Sequence, residues 1–202
     1  MFITITGLIE NLPTITRKQG YLVKLNRVNE MFEDDFVETL TLDDNNHICG
    51  VLNTMDNVLK VILMIKNEFY PLAVRFGLGV SSDVDTTSHY SLQALNTLEV
   101  LRHKKECALS DVYFKLDEEF ETKEIALNTI CKLLYVLEQN WTDKQRSVIH
   151  LMIFEEMNQV MIANEYGVSA SNVQQMLKNG NYFAYKDTLE SVYYLTKENT
   201  IE

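Results

Sequence analysis

Between residues 43 and 50 the chain reads DDNNHICG, which gathers two carboxylates, an imidazole and a thiol into one short stretch. Residues of these types transfer protons, attack as nucleophiles or ligate a transition metal. His47 and Cys49 share one strand face and would supply half of a metal site, the other ligands coming from elsewhere. The plainer reading is a polar hairpin turn, because Asn and Asp hydrogen-bond their own backbone and accept left-handed conformations. That reading is preferred here, and neither a metal nor a cofactor is expected.

A second candidate lies in PLAVRFGLGVS, residues 71–81. Alternation sends Val74, Phe76, Leu78 and Val80 to one face and Arg75, Gly77 and Gly79 to the other. Bare glycine backbone admits a close neighbour. Arg75 beside it is a ligand-site candidate for a phosphate or carboxylate, together with Asn46 and His47, although an ion pair is the commoner fate of such an arginine. His89, His103 and His150 have no carboxylate, Ser or Cys partner at a meaningful spacing and read as structural or surface residues.

These groups must be positioned by elements that the apolar periodicity outlines. Residues 2–8 alternate as a strand, and Leu22, Leu25, Val28 and Phe32 recur as the stripe of a helix from about Thr16 to Glu33. Strands 36–42 and 47–52 form a hairpin around the acidic stretch. A helix over 55–69 stacks Val58, Ile62, Ile65 and Phe69 and stops at Pro71. Strand 71–81, a helix from about Tyr90 to Cys107 and a short strand over 111–116 follow. The order predicts an α+β chain whose first part, residues 1–120, is a ferredoxin-like βαββαβ domain with both helices on one face. From 121 to 202 the pattern is all-α. A helix over 123–140 has Ile125, Ile130, Leu133, Leu134 and Leu137 as its apolar residues, and Thr142 to Gln145 form a capping box behind Trp141.

Residues 157–180 carry a more specific pattern. Ala163 is small enough for two helices to cross, Gly167 makes the turn, Val168 plugs the core, Ser169 caps the next helix and Val173 packs it back. This spacing matches a DNA-binding helix-turn-helix. Ala170, Ser171, Asn172, Gln174 and Gln175 are then free to reach base edges, and Asn and Gln pair with adenine. Ser169 is a further DNA-binding candidate, and Lys144, Arg146, Lys178 and Lys186 are the candidates for phosphate contact. The aromatic set Tyr182, Phe183, Tyr185, Tyr193 and Tyr194 is read as packing for the last helix in preference to base stacking.

Composition constrains these ideas. A net charge of −11 repels nucleic acid and anionic membranes at long range, so any binding to DNA must come from a local surface. From Trp141 onward five Lys and Arg face eight acids, so a monomer should bind duplex weakly, and a homodimer or a protein partner would ease the difficulty. Three separated cysteines with no CxxC pair fit a reducing cytoplasm. No signal peptide or membrane span is read, since the run VLKVILMI is interrupted by Lys60 and is short.

Two regions carry a family resemblance. WTDKQRSVI, the helix-turn-helix and KNGNYFAYKDTL resemble the C-terminal signature of the SatD family, whose helix-turn-helix is similar to region 4 of sigma factors. EFYPLAVRFGLGVS resembles that family's ELYPVxxRFGIGxG, and FITITGLIEN stands where the family has its first strand. The resemblance implies an N-terminal half similar to the palm of class III cyclases and GGDEF proteins, in which acids after the first strand and in the hairpin hold divalent metal on a nucleotide. Where the pattern reads GDEFQG this chain has Asn45-Asn46-His47-Ile48-Cys49-Gly50, and Leu8 and Asn11 replace the acids near the first strand. Glu10, Asp43 and Asp44 are near in sequence but out of register. Leucine does not ligate Mg²⁺ and neutral Asn lacks the charge of a hard-cation site, so the resemblance implies a lost catalytic site. The expectation is a DNA-binding regulator with a non-catalytic ligand-sensing or dimerisation domain. The alternatives are a protein-interaction module of helix-turn-helix shape and a nucleotide-processing enzyme with substitute ligands.

Overall fold

The computed structural model describes residues 1–11, 18–104, 110–155 and 157–197. Five strands, β1 (Phe2–Ile9), β2 (Phe36–Leu42), β3 (His47–Leu52), β4 (Val74–Ser81) and β5 (Val112–Leu116), form one sheet in the order β2-β3-β1-β4-β5. The β2–β3, β3–β1 and β1–β4 pairs are antiparallel and β4–β5 is parallel. The chain is therefore α+β, with a mixed sheet and helices on both faces.

Register sorts the side chains. Ile3, Ile5 and Ile9 lie opposite Val80, Leu78 and Val74, and Phe76 and Leu78 lie beside Val112 and Phe114. This apolar face is covered by α1 (Lys18–Met31) and α2 (Val58–Phe69). Helix α2 is buried nearly all round, the mark of a helix inside a core. Val58, Ile62, Ile65 and Phe69 are buried as expected. Leu59 and Leu63, on another side of α2, line a small gap with Leu134, Tyr185 and Leu189 of the later helices.

The other face carries Thr4, Thr6, Gly77 and Gly79, and α3 (Val84–Arg102) lies directly on it. A Cβ at Gly79 would sit 1.9 Å from the Thr87 carbonyl oxygen, and one at Gly77 2.1 Å from that of Ser91. Thr4 pairs its hydroxyl with Thr87, and Thr6 with Ser91, both at 2.7 Å. The close neighbour expected against the bare glycine backbone is the chain's own helix α3. That helix starts at Val84, before the expected Tyr90, because Asp83 accepts the Thr86 amide and hydroxyl and caps it. The expected helix ends at Thr16 and Cys107 lie outside the described residues.

Both edges of the sheet are closed by an asparagine. Asn29 of α1 accepts the Leu40 amide at 2.8 Å and donates to the Leu40 carbonyl at 3.0 Å on β2. Asn128 of α4 (Glu121–Gln139) makes the same two bonds with Phe114 of β5, at 2.7 and 3.0 Å. Each edge strand thus offers less free backbone to another chain.

Helix α4 lies along β5 and is followed by α5 (Asp143–Phe154), α6 (Gln159–Tyr166), α7 (Ala170–Asn179) and α8 (Tyr182–Lys197). Its buried stripe is Leu127, Cys131, Leu134 and Glu138, whereas Ile125 and Leu133, expected on the apolar side, are exposed. Leu22 of α1 is likewise exposed, and Tyr21 stacks on Phe69 instead. The Thr142–Gln145 capping box is present. Trp141 before it donates its indole N–H to the Gly180 carbonyl at 2.8 Å, tying α5 to the end of α7. A single apolar core runs from the sheet through α2 into α4–α8. Among the described residues no helix is long and apolar enough to cross a membrane.

Candidate functional site

The acidic hairpin is organised by Asp43. One carboxylate oxygen accepts the amides of Asn45 and His47, each at 2.8 Å, and the other meets His47 Nδ1 at 3.3 Å. Slight desolvation pushes the Asp43 carboxyl upward, but these bonds together hold it below its ordinary value. Asn46 takes the left-handed conformation at φ 67°, and its carbonyl accepts the Ile9 amide at 3.1 Å. Leu8 lies directly opposite His47 in the ladder. Cys49 is exposed, and partial burial followed by the Asp43 charge raises its thiol pKa. Among the described residues no group of three or more His, Cys, Asp or Glu side chains is placed to hold a metal ion.

Arg75 is held by acids of the same chain. It bonds Glu10 at 2.7 Å and Glu99, while Glu10 also takes Arg102. Glu10, just after β1, bridges two guanidinium groups. The Arg75 side chain is buried, and its Nε has no hydrogen-bond partner. Together with Tyr70, Asp111, Tyr135 and Arg146 it lines a cleft of about 410 Å³ between the sheet and the later helices.

Below that cleft lies a cluster that spacing alone did not reveal. Lys66 of α2 pairs with Asp111 at 2.5 Å and with Glu138, and Glu138 also accepts the Tyr185 hydroxyl at 2.5 Å. Burial by itself would drive the Lys66 ammonium toward neutrality, but the two carboxylates hold it above the usual lysine range. Glu138 is pushed up by burial despite Lys66. The signal was present in the periodicity: Lys66 follows Ile62, and Glu138 follows Leu134, at the i+4 position of an apolar stripe. Their partners are distant in sequence, so no local pattern joins them.

Arg146 also belongs to this junction. It donates to the Glu138 carbonyl at 3.2 Å and stacks on Tyr70 and Trp141, with its guanidinium carbon 4.8 and 5.4 Å from the ring centres. Arg146 is half-buried in these contacts.

The α6–α7 pair supplies a different kind of surface. Asn158 caps α6 through the amides of Val160 and Met161, Gly167 ends it at φ 62°, and Ser169 caps α7 through the Asn172 amide. Ile162, Ala163, Val173 and Leu177 are buried between the helices and α5. Ser169, Ala170, Ser171, Asn172, Gln174, Gln175 and Lys178 are all exposed, and Gln175 bonds Asn179 at 2.6 Å. Lys144 and Lys186 are exposed as well, Lys186 lying 3.6 Å from Glu190. Of the aromatic set, Tyr182 and Tyr185 are core residues whereas Phe183 and Tyr194 are exposed; the Tyr193 side chain lies outside the described part.

No curated protein matches the chain. Among solved structures it is similar to the crystal structure of a regulator of polyketide synthase expression from Bifidobacterium adolescentis. That likeness has 11% identity and a TM-score of 0.30, over 97% of this chain and 81% of that one. The family model described as SatD family matches residues 3–192. The chain therefore belongs to the SatD family.

Proposed function

We propose that this chain is a DNA-binding transcriptional regulator in which α5–α7 form a helix-turn-helix and α7 is the recognition helix. The observation that carries the reading is the two-sidedness of α7: Val173 and Leu177 are fully buried, while Ser171, Asn172, Gln174, Gln175 and Lys178 all face solvent. Side chains of this type at the start of such a helix reach base edges in a major groove. The left-handed Gly167 and the Ser169 cap support the same assignment.

The first 120 residues are read as a non-catalytic domain on the ferredoxin-like plan of cyclase palms. The β2-β3-β1-β4 order with antiparallel pairs supports the plan. Leucine at position 8, opposite His47, supports the loss of catalysis, because neither the side chain nor its neighbour offers the carboxylates of a hard-cation site. Its role is then to sense a ligand or to bring two copies together. Titrating fluorescent genomic fragments with the protein at low salt tests the regulator reading; retention of a subset of fragments is expected, and uniform failure to bind would sink it.

A second reading, a helix-turn-helix shape used for protein contact, is favoured by Val160 and Met161, which stand 59% and 48% exposed on α6 of a chain with net charge −11. Stable co-purification of a protein partner, lost in Met161→Glu, would favour that reading.

A further inference from the structure

On its outward side α4 carries a stripe that the fold does not use. Apart from Glu121 in its first turn, the exposed residues of this helix are uncharged: Thr122, Ile125, Thr129, Leu133, Val136 and Gln139. Ile125, Leu133 and Val136 stand 61%, 60% and 50% exposed. Such a stretch is unusual in a chain of net charge −11, in which solvent-facing helix positions are normally charged.

The spacing of the stripe is itself informative. From 122 to 136 the steps are 3, 4, 4 and 3, which read the same in both directions about Thr129. A two-fold interface is self-complementary, so that residue i of one copy meets residue j of the other and j meets i. An antiparallel pair of α4 helices centred on Thr129 places Ile125 level with Leu133 of the second copy, and Thr122 level with Val136. The small central Thr129 allows close approach, and its hydroxyl is already bonded to the Ile125 carbonyl at 2.8 Å. Two copies of an acidic chain repel one another except where neither presents charge, and this stripe meets that condition. The neighbouring β5 edge is occupied by Asn128, so the contact is between helices and not between strands.

We propose that the outward face of α4 is the surface on which two copies of this chain pair, antiparallel about Thr129. The inference deepens the regulator reading by giving it a dimer, and its test uses no DNA. Sedimentation of the full chain at micromolar concentration is expected to give a dimer. Leu133→Glu and Ile125→Lys, both at exposed positions, should each give folded monomers by circular dichroism. The double variant I125K/L133E sets Lys against Glu across the two-fold axis and should restore the dimer. A monomeric wild type, a dimer indifferent to L133E, or a double variant that remains monomeric would each overturn the proposal. A monomeric wild type would overturn this inference alone, since the regulator reading is judged separately by the fragment titration.

Discussion

Replacement of Lys66 by methionine is the sharpest test of how the sheet is joined to the later helices. In the native chain one ammonium serves Asp111 and Glu138, with the three side chains 12%, 15% and 5% exposed. Removing it leaves two carboxylates facing each other in the core, one of them also bonded to Tyr185. Breaking a buried pair by deleting one partner costs about 3–5 kcal/mol, because the desolvated charge that remains is uncompensated. For a chain whose total stability is on the order of 5–15 kcal/mol this is a large fraction. With a urea slope of about 2 kcal/mol/M the midpoint should fall by about 1.5–2.5 M. Trp141, the single tryptophan, packs against Tyr185 at the same junction, ring centres 4.8 Å apart, and reports the transition by fluorescence. The double variant K66M/E138L should recover most of the loss, since an apolar replacement of a buried pair is often neutral; about 1 kcal/mol should remain missing for the orphaned Tyr185 hydroxyl. A midpoint shift below about 0.5 M for K66M, or a double variant as unstable as the sum of its parts, would refute the reasoning.

The two glycines under α3 leave no room for a methyl group, so Gly79→Ala should destabilise the chain by at least about 2 kcal/mol in urea unfolding. Gly20→Ala, in the first turn of α1 with nothing near its missing Cβ, should stabilise it by up to about 0.5–1 kcal/mol. Stability should also fall as the solution becomes alkaline. Burial raises Cys131 from its usual 9.0, burial and the Glu138 charge raise Tyr185 from 10.0, and Asp111 and Glu138 overcome burial to raise Lys66 from 10.5. In each case the folded state keeps its proton longer than the unfolded one. The contribution is whole below the unfolded value and is lost as pH rises through the folded one. Thermal melts should therefore be insensitive to these groups between pH 7 and 8 and drop steadily above about 9, and a flat profile to pH 11 would contradict the cluster.

Much of the fold was legible because local rules and tertiary packing agree in it. The alternating strands, the Val58–Phe69 stripe, the Thr142 capping box and the Gly167–Ser169 turn follow from periodicity and cap chemistry that act within a few residues. The errors came where the deciding partner is remote. Gly77 and Gly79 signalled close approach correctly, but the sequence could not say that Thr87 and Ser91 would make it. No local pattern around Arg146 shows that Tyr70, from the first half, lies against its guanidinium. On α4 the apolar residues Ile125 and Leu133 outscored Glu138 by hydropathy, yet the carboxylate is the buried one because Lys66 and Tyr185 meet it there.

The central claim is that the solvent face of α7 reads DNA, and its most direct measurement is the salt and sequence dependence of binding by the protein and its Gln174→Ala/Gln175→Ala variant. Each lost base contact should cost about 1–3 kcal/mol on the preferred fragment and little on unrelated duplex. The logarithmic salt slope should be shallow, on the order of −2 to −3 per copy, given the few exposed lysines near that face. Equal affinity of wild type and variant for every duplex, or no salt-sensitive binding at all, would contradict the account.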